Sequence, residues 1–123
     1  MKPRQLTLTE KDVKTKLDSF MQAYYFVARR ENNFQMQGFE KYEGKTVLRL
    51  ANDASIGSSY YVVSHEQDAQ QKEHFYMHLL DKGQEIFKSR EMPHDRDDAY
   101  SFLRGAAREQ ADYECEKKLN SQE

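Results

Sequence analysis

The sequence predicts an α+β fold with an N-terminal amphipathic helix, an antiparallel sheet of about five strands and a C-terminal helix packed on the sheet. Three observations predict this order. Apolar residues recur at helical spacing near both ends of the chain, they alternate with a period of two in the middle, and glycine-bearing turns separate the alternating runs. A length of 123 residues suits one domain spanning 1–123, with residues 1–8 and 114–123 expected to fray or extend.

The first helix is expected to begin after Thr9. The Thr9 hydroxyl can accept a backbone N–H, and Asp12 stands where a capping box places its acidic residue. At about 100° per residue, the apolar side chains that follow share one arc. They are Val13, Leu17, Phe20, Met21, Tyr24, Val27 and Ala28. This stripe is typical of a helix that faces a core.

The strand region is expected to begin at Phe34. Gly38 interrupts the alternation, as it would at a β-bulge. The segment Glu43-Gly44-Lys45 predicts a hairpin turn into a strand over 46–51. The next run, 60–63, is apolar on both faces, which indicates a strand in the middle of the sheet.

The second half of the sheet follows a polar stretch, 65–71, which is expected to be a connection. A strand is expected over 74–80. Asp81-Lys82-Gly83 then predicts a turn, with Gly83 in the left-handed conformation and a partner strand over 85–89.

The last helix is expected to follow Pro93, with Asp95 as its cap. Six residues share one face of this helix and predict its contact with the sheet: Ala99, Phe102, Leu103, Ala106, Ala107 and Tyr113. Beyond them the same face carries Glu114 and Lys117, so the tail is expected to leave the body of the domain.

Composition favours a folded cytoplasmic protein. The chain has one cysteine, Cys115, so no intrachain disulfide can form, and it has no signal-peptide pattern and no apolar stretch long enough to span a membrane. The net charge is −2, but it is unevenly spread. Residues 1–30 carry seven Lys/Arg against three Asp/Glu, whereas residues 91–123 carry five against nine. The two ends can therefore attract each other within one chain or between two copies.

A patch at the end of the first helix is the predicted protein-binding site. Phe26 projects to the side opposite the apolar stripe, and Tyr25 lies at the border of the stripe. Both are close to Arg29 and Arg30. Aromatic and arginine side chains together have the composition of an interface hot spot. The sequence therefore predicts a contact here with another protein or with a second copy of the chain.

Histidines and tyrosines in the strands form a second candidate site, a pocket between the first helix and the sheet. Its predicted members are Tyr61, His65, His74, Tyr76 and His78. A histidine in such a pocket could act as a general base. Histidines at alternate strand positions are equally typical of a half-exposed sheet surface, and no cysteine pair or helical H-x-x-x-H accompanies them, so no metal site is predicted.

No cofactor is predicted, because the five glycines are too dispersed for a phosphate-binding loop. Nucleic-acid binding is not favoured, since the chain is acidic as a whole and carries no recognisable module. The sequence favours a non-enzymatic interaction protein, such as an adaptor, chaperone, inhibitor or immunity-type protein, acting as a homodimer. The alternative is a small-molecule-binding or catalytic α+β cone with a His/Tyr-lined pocket.

Overall fold

The computed structural model describes residues 9–31, 34–51 and 58–120, without the side chains of residues 25–31 and 96. Within these ranges the chain forms two helices around an antiparallel sheet, which confirms the predicted α+β order. The elements are α1 (Glu10–Glu31), β1 (Gln35–Tyr42), β2 (Lys45–Ala51), β3 (Ser59–Gln67), β4 (Glu73–Asp81), β5 (Gln84–Glu85), β6 (Arg90–Glu91) and α2 (Arg96–Asn120). The strand order is β1-β2-β3-β4-β5, and β6 also pairs with β4.

The predicted capping box starts α1. The Asp12 N–H donates to the Thr9 hydroxyl at 3.1 Å, and the Thr9 N–H donates to the Asp12 carboxylate at 3.4 Å. Leu17, Met21 and Tyr24 from the predicted stripe are buried against the sheet. The helix therefore lies where its apolar spacing predicts.

The β1–β2 hairpin also follows its sequence signals. Glu43 and Gly44 both have positive φ, 53° and 79°, in a two-residue turn between Tyr42 and Lys45. Consecutive positive φ values define the turn whose twist matches that of antiparallel strands. The register shifts between Met36 and Gly38, where Gly38 has a φ of 118°, so the predicted bulge is confirmed.

β3 is longer than the sequence indicates. The sequence predicts a connection from residue 65, but residues 65–67 continue the strand, and His65 pairs with Phe75. The ladder with β4 supplies backbone hydrogen bonds whatever the polarity of the side chains, so pairing overrides composition here. The connection is reduced to residues 68–72, where the Asp68 carboxylate accepts the N–H groups of Gln70 and Lys72 at 2.9 Å.

The segment after β4 is more broken than the predicted strand over 85–89. Only Gln84 and Glu85 pair beside the turn, and the chain rejoins β4 at Arg90–Glu91. Between these points the Ile86 N–H still donates to the Leu79 carbonyl at 2.8 Å.

α2 begins at the predicted cap, where Asp95 accepts the N–H groups of Asp97 at 2.8 Å and Asp98 at 3.3 Å. The expectation that the chain leaves the body after residue 113 is wrong for residues 114–120, which continue the helix. Glu114 is 7% exposed and Lys117 donates to Asp81 at 2.8 Å. Hydrogen bonds to the sheet, rather than apolar contacts, hold this last part of the helix.

The main core lies between the helices and one face of the sheet. Leu17 and Met21 of α1 and Leu103 of α2 pack there against inward residues of the central strands, namely Leu48, Leu50, Tyr61, Val63, Phe75, Met77 and Leu79. A smaller cluster lies on the opposite face of the same strands. Neither described helix is both long and apolar enough to cross a membrane.

Candidate binding face of the sheet

The face of the sheet turned away from the helices, here called the open face, has a floor of three apolar side chains. Val47, Val62 and Leu80 lie on β2, β3 and β4 and are at most 1% exposed. Tyr42 and Tyr60 pack against them. Within the described part of the chain, every apolar side chain of this cluster belongs to a strand.

The open face is concave. The Tyr42 ring on β1 lies 5.6 Å from the His78 ring on β4, although β2 and β3 run between these strands. Strands are spaced by about 4.8 Å, so a flat sheet would separate β1 from β4 by about 14 Å. The sheet must therefore curl, and its edges approach each other over the floor.

A groove of about 520 Å³ opens on this face. It lies between the β1–β2 turn and the β4–β5 turn. Its lining residues are Glu40, Lys41, Tyr42, Glu43, Tyr60, Leu80, Gly83, Gln84 and Glu85. Two tyrosines and a leucine thus form the apolar part of the groove, and three glutamates and one lysine supply its charges.

A cationic side chain already lies on one wall. The Arg49 guanidinium stacks over the Tyr60 ring, 3.8 Å from its centre, and lies 3.6 Å from the Glu40 carboxylate. The Tyr60 hydroxyl donates to Glu40 at 3.0 Å. Partial burial and this bond to a carboxylate raise the pKa of Tyr60, so it remains a neutral donor.

Deeper in the open face, three side chains form a hydrogen-bonded chain. His78 contacts the Ser64 hydroxyl through Nε2 at 2.7 Å and the Glu85 carboxylate through Nδ1, also at 2.7 Å. A nucleophile, base and orienting acid take this order in serine hydrolases. Ser64, however, is 3% exposed, and the Tyr42 ring lies beside His78. An acyl group could not reach the Ser64 hydroxyl in this arrangement. The two hydrogen bonds of His78 instead have a structural role, because they link β3, β4 and β5.

The predicted His/Tyr pocket does not form as one site, because its members lie on opposite faces of the sheet. Tyr61 and His65 face the helices, whereas the side chains of His74, Tyr76 and His78 lie on the other face. Strand alternation separates them, since His65 stands opposite the inward Phe75 rather than opposite His74.

The space expected for that pocket is occupied by aromatic side chains. Phe20 stacks on Phe75 with ring centres 3.9 Å apart, and Tyr24 lies 4.6 Å from Phe20. Tyr61 donates its hydroxyl to the Ala106 carbonyl at 2.8 Å, and burial raises its pKa. His65 is buried with Nε2 3.7 Å from Glu73, and burial lowers its pKa, which favours the neutral ring.

His74 is held by two carboxylates at the far end of β4. Its Nδ1 lies 2.5 Å from Glu91 and its Nε2 lies 3.0 Å from Asp68. Hydrogen bonds to Glu91 and Asp68 raise its pKa, which favours the protonated ring. In the described part of the chain no three His, Cys, Asp or Glu side chains are grouped to hold a metal ion.

The predicted patch of Tyr25, Phe26, Arg29 and Arg30 lies outside the side chains that the structure describes. It remains a prediction.

A polar layer joins α2 to the sheet. The Glu114 carboxylate accepts the Ser59 N–H at 3.0 Å and also the Ser59 hydroxyl, and the Gln110 amide donates to the Ser59 carbonyl at 3.0 Å. Beside it, Asp81 accepts from Tyr113 at 2.7 Å, and also from Ser58 and Lys117. These bonds account for the burial of two carboxylates.

The sequence does not predict a site at the groove, which is lined by Glu40, Tyr42, Tyr60 and Glu85 among others. Strand alternation assigns Tyr60 and His78 to one face, but the approach of Tyr42 to His78 depends on sheet curl. No local pattern encodes that curl except the bulge at Gly38, which increases strand twist.

Comparisons with protein-family models, curated proteins and solved structures find no match to this chain.

Proposed function

We propose that this chain is a non-enzymatic protein-interaction module that acts as a homodimer and binds a protein partner through the open face. The observation that carries the proposal is the concave surface formed by the curled sheet. It combines tyrosines, an arginine and carboxylates around a buried apolar floor. Tyrosine and arginine are enriched at the energetic centres of protein interfaces.

The chemistry of the open face supports binding rather than catalysis. The hydrogen-bonded group Ser64-His78-Glu85 resembles a catalytic relay, but Ser64 is only 3% exposed. The hydrogen bonds of Ser64, His78 and Glu85 are made to one another within the sheet. These three residues therefore act as a link between neighbouring strands.

The homodimer is supported by the charge distribution. A balance of +4 over residues 1–30 and of −4 over residues 91–123 lets two copies attract each other at low ionic strength. The predicted patch around Phe26 is the proposed subunit contact, and the open face is the proposed partner contact.

A second candidate function, binding of a small molecule, is favoured by the groove volume. About 520 Å³ falls within the roughly 300–1,000 Å³ typical of ligand pockets. The groove would then hold the ligand against Tyr42 and Tyr60. This candidate places the site on the open face and not between α1 and the sheet.

The subunit contact is tested by light scattering of the purified chain at low and high salt. We expect a dimer that Phe26→Asp converts to a folded monomer. A wild-type chain that stays monomeric at every concentration would refute the homodimer.

The partner contact is tested by placing a photo-crosslinking amino acid at Gln84 on the groove, with Arg104 on the exposed surface of α2 as the matched control position. We expect one partner to crosslink from Gln84 in cells of the native source and not from Arg104. The same partner, once purified, should bind the wild-type chain. Equal crosslinking from both positions would contradict the proposed face.

A further inference from the structure

We infer that the groove on the open face receives an arginine or lysine side chain of the protein partner. The inference rests on the proposed function and gives the partner its chemistry: a segment with a protruding basic residue. It depends on three features of the groove, which are its charge, its aromatic walls and the acceptors that line it.

Acidic side chains outnumber basic ones in and beside the groove, so its net charge is negative. Glu40, Glu43 and Glu85 line it together with Lys41, and Arg49 lies on the wall beside Glu40, so three acids face two bases. The Lys41 ammonium is directed elsewhere, since it donates to Glu10 and to Thr46, each at 3.0 Å. The acidic excess therefore favours a cation at this position over an anion.

The aromatic walls can stabilise such a cation. The same face already binds a guanidinium of its own, because Arg49 lies over Tyr60 at 3.8 Å and beside Glu40 at 3.6 Å. An aromatic ring stacked on the face of a guanidinium and a carboxylate at its N–H edge are a favoured setting for arginine. On the other side of the groove, Tyr42 and the carboxylates of Glu43 and Glu85 offer the same pair of groups to a second cation.

The acceptors on that side retain capacity. Tyr42 and His78 both contact the same oxygen of Glu85, Oε1, at 3.4 Å and 2.7 Å. An ionised carboxylate has about four acceptor positions, and the Glu85 side chain is 32% exposed. Glu43 lies on the exposed turn at the rim. A basic side chain can thus enter without breaking the bonds that hold the sheet.

The test is an NMR titration of the ¹⁵N-labelled 123-residue chain with three short peptides. They are identical except for a central arginine, lysine or citrulline, which is close in shape to arginine but uncharged. We expect saturable shifts of the amides around Tyr42, Tyr60 and Gly83. The arginine peptide should bind roughly tenfold more tightly than the citrulline peptide.

Two variants with equal loss of charge sharpen the test. Glu43→Gln with Glu85→Gln removes two groove acids, whereas Asp112→Asn with Glu116→Gln removes two exposed acids of α2. We expect the first pair to weaken arginine binding roughly tenfold, with the native spectrum retained elsewhere. The second pair should bind like wild type.

The outcomes separate the inference from the proposed function. Equal binding of arginine and citrulline peptides, or shifts that map to α2, would overturn the inference. A partner that still crosslinks from Gln84 would in that case leave the proposed function intact. A wild-type dimer that dissociates in the groove variant but not in the α2 variant would support a basic side chain in the groove, would identify it as that of a second copy, and would refute the Phe26 patch as the sole subunit contact.

Discussion

The Tyr42 hydroxyl on β1 donates to the Glu85 carboxylate on β5 across 3.4 Å, so that one hydrogen bond joins the two edges of the sheet path. Three strands, β2, β3 and β4, lie between these edges, and the bond can exist only because the sheet curls. Tyr42 therefore closes the open face on one side, and its ring shields His78 beneath it.

Two substitutions of Tyr42 should distinguish the contribution of its hydrogen bond to stability from the contribution of its ring packing. Tyr42→Phe removes one partly exposed bond, so we expect it to lower the free energy of unfolding by about 0.5–1 kcal/mol. Tyr42→Ala also removes the ring from the Val47–Val62–Leu80 floor, and we expect a loss of about 2–3 kcal/mol. Urea unfolding followed by circular dichroism measures both. Equal effects of the two substitutions would contradict a packing role for the ring.

Substitution of Gly38 or Gly105 by alanine should change the free energy of unfolding in opposite directions. An added Cβ meets nothing within 4 Å at either position. At Gly38 the φ of 118° makes any side chain strained, so Gly38→Ala should destabilise by about 1–2 kcal/mol. Gly105 lies in α2, where alanine favours the helix, so Gly105→Ala should stabilise by about 0.5–1 kcal/mol. Thermal unfolding of both variants checks the signs, and a stabilising Gly38→Ala would exclude the bulge geometry.

Asp81 should make the stability of the fold depend on acid. Burial opposes its charge, but hydrogen bonds from Lys117, Ser58 and Tyr113 outweigh burial and lower the pKa of Asp81 to about 2. Because the folded pKa is below the ordinary value of 3.8, the stabilisation is complete above about pH 4 and is lost as the pH falls toward 2.

We expect Asp81→Asn to lower stability near neutral pH by roughly 1–2 kcal/mol and to flatten the slope between about pH 4 and pH 2. Urea midpoints measured across that range provide the test. Asp112→Asn, on the exposed side of α2, serves as the control and should keep the wild-type slope. An unchanged slope in Asp81→Asn would exclude this carboxylate as the source of acid sensitivity.

Ser64 should resist serine-directed reagents despite its contact with His78. Its 3% exposure leaves no approach for a fluorophosphonate probe, so intact mass spectrometry should detect no adduct on the folded chain. Tyr42→Ala removes the ring over His78 and is the variant in which labelling would first become detectable. An adduct on Ser64 in the wild-type chain would favour an acyl-transfer enzyme over an interaction module.

The parts of the fold that the sequence predicts are those with local causes. Thr9 and Asp12 cap α1 through groups three residues apart, and the φ values of Glu43 and Gly44 fit the turn that their position indicates. The polarity of residues 65–67 predicts a connection, because polarity alone does not reveal a pairing partner across the sheet. His65 lies in β3 because Phe75 stands opposite it.

The candidate site is less predictable because it depends on tertiary geometry. The alternation of side chains along a strand places Tyr60 and Tyr61 on opposite faces of the sheet. It does not tell which of the two faces the helices will cover. The packing of residues 114–120 of α2 against the sheet is hard to predict for the same reason, because it depends on tertiary geometry. Glu114 interrupts an apolar stripe, and only the position of Ser59 gives its carboxylate two donors.

The two turns that flank the groove give its mouth a fixed shape. Glu43-Gly44 and Lys82-Gly83 are both two-residue turns with consecutive positive φ values, a conformation held by the strand pairs on either side. A binding surface whose rim is ordered before contact loses less conformational entropy when a ligand arrives. The open face is thus preorganised, and a partner should associate with it by rigid docking rather than by folding a loop around itself.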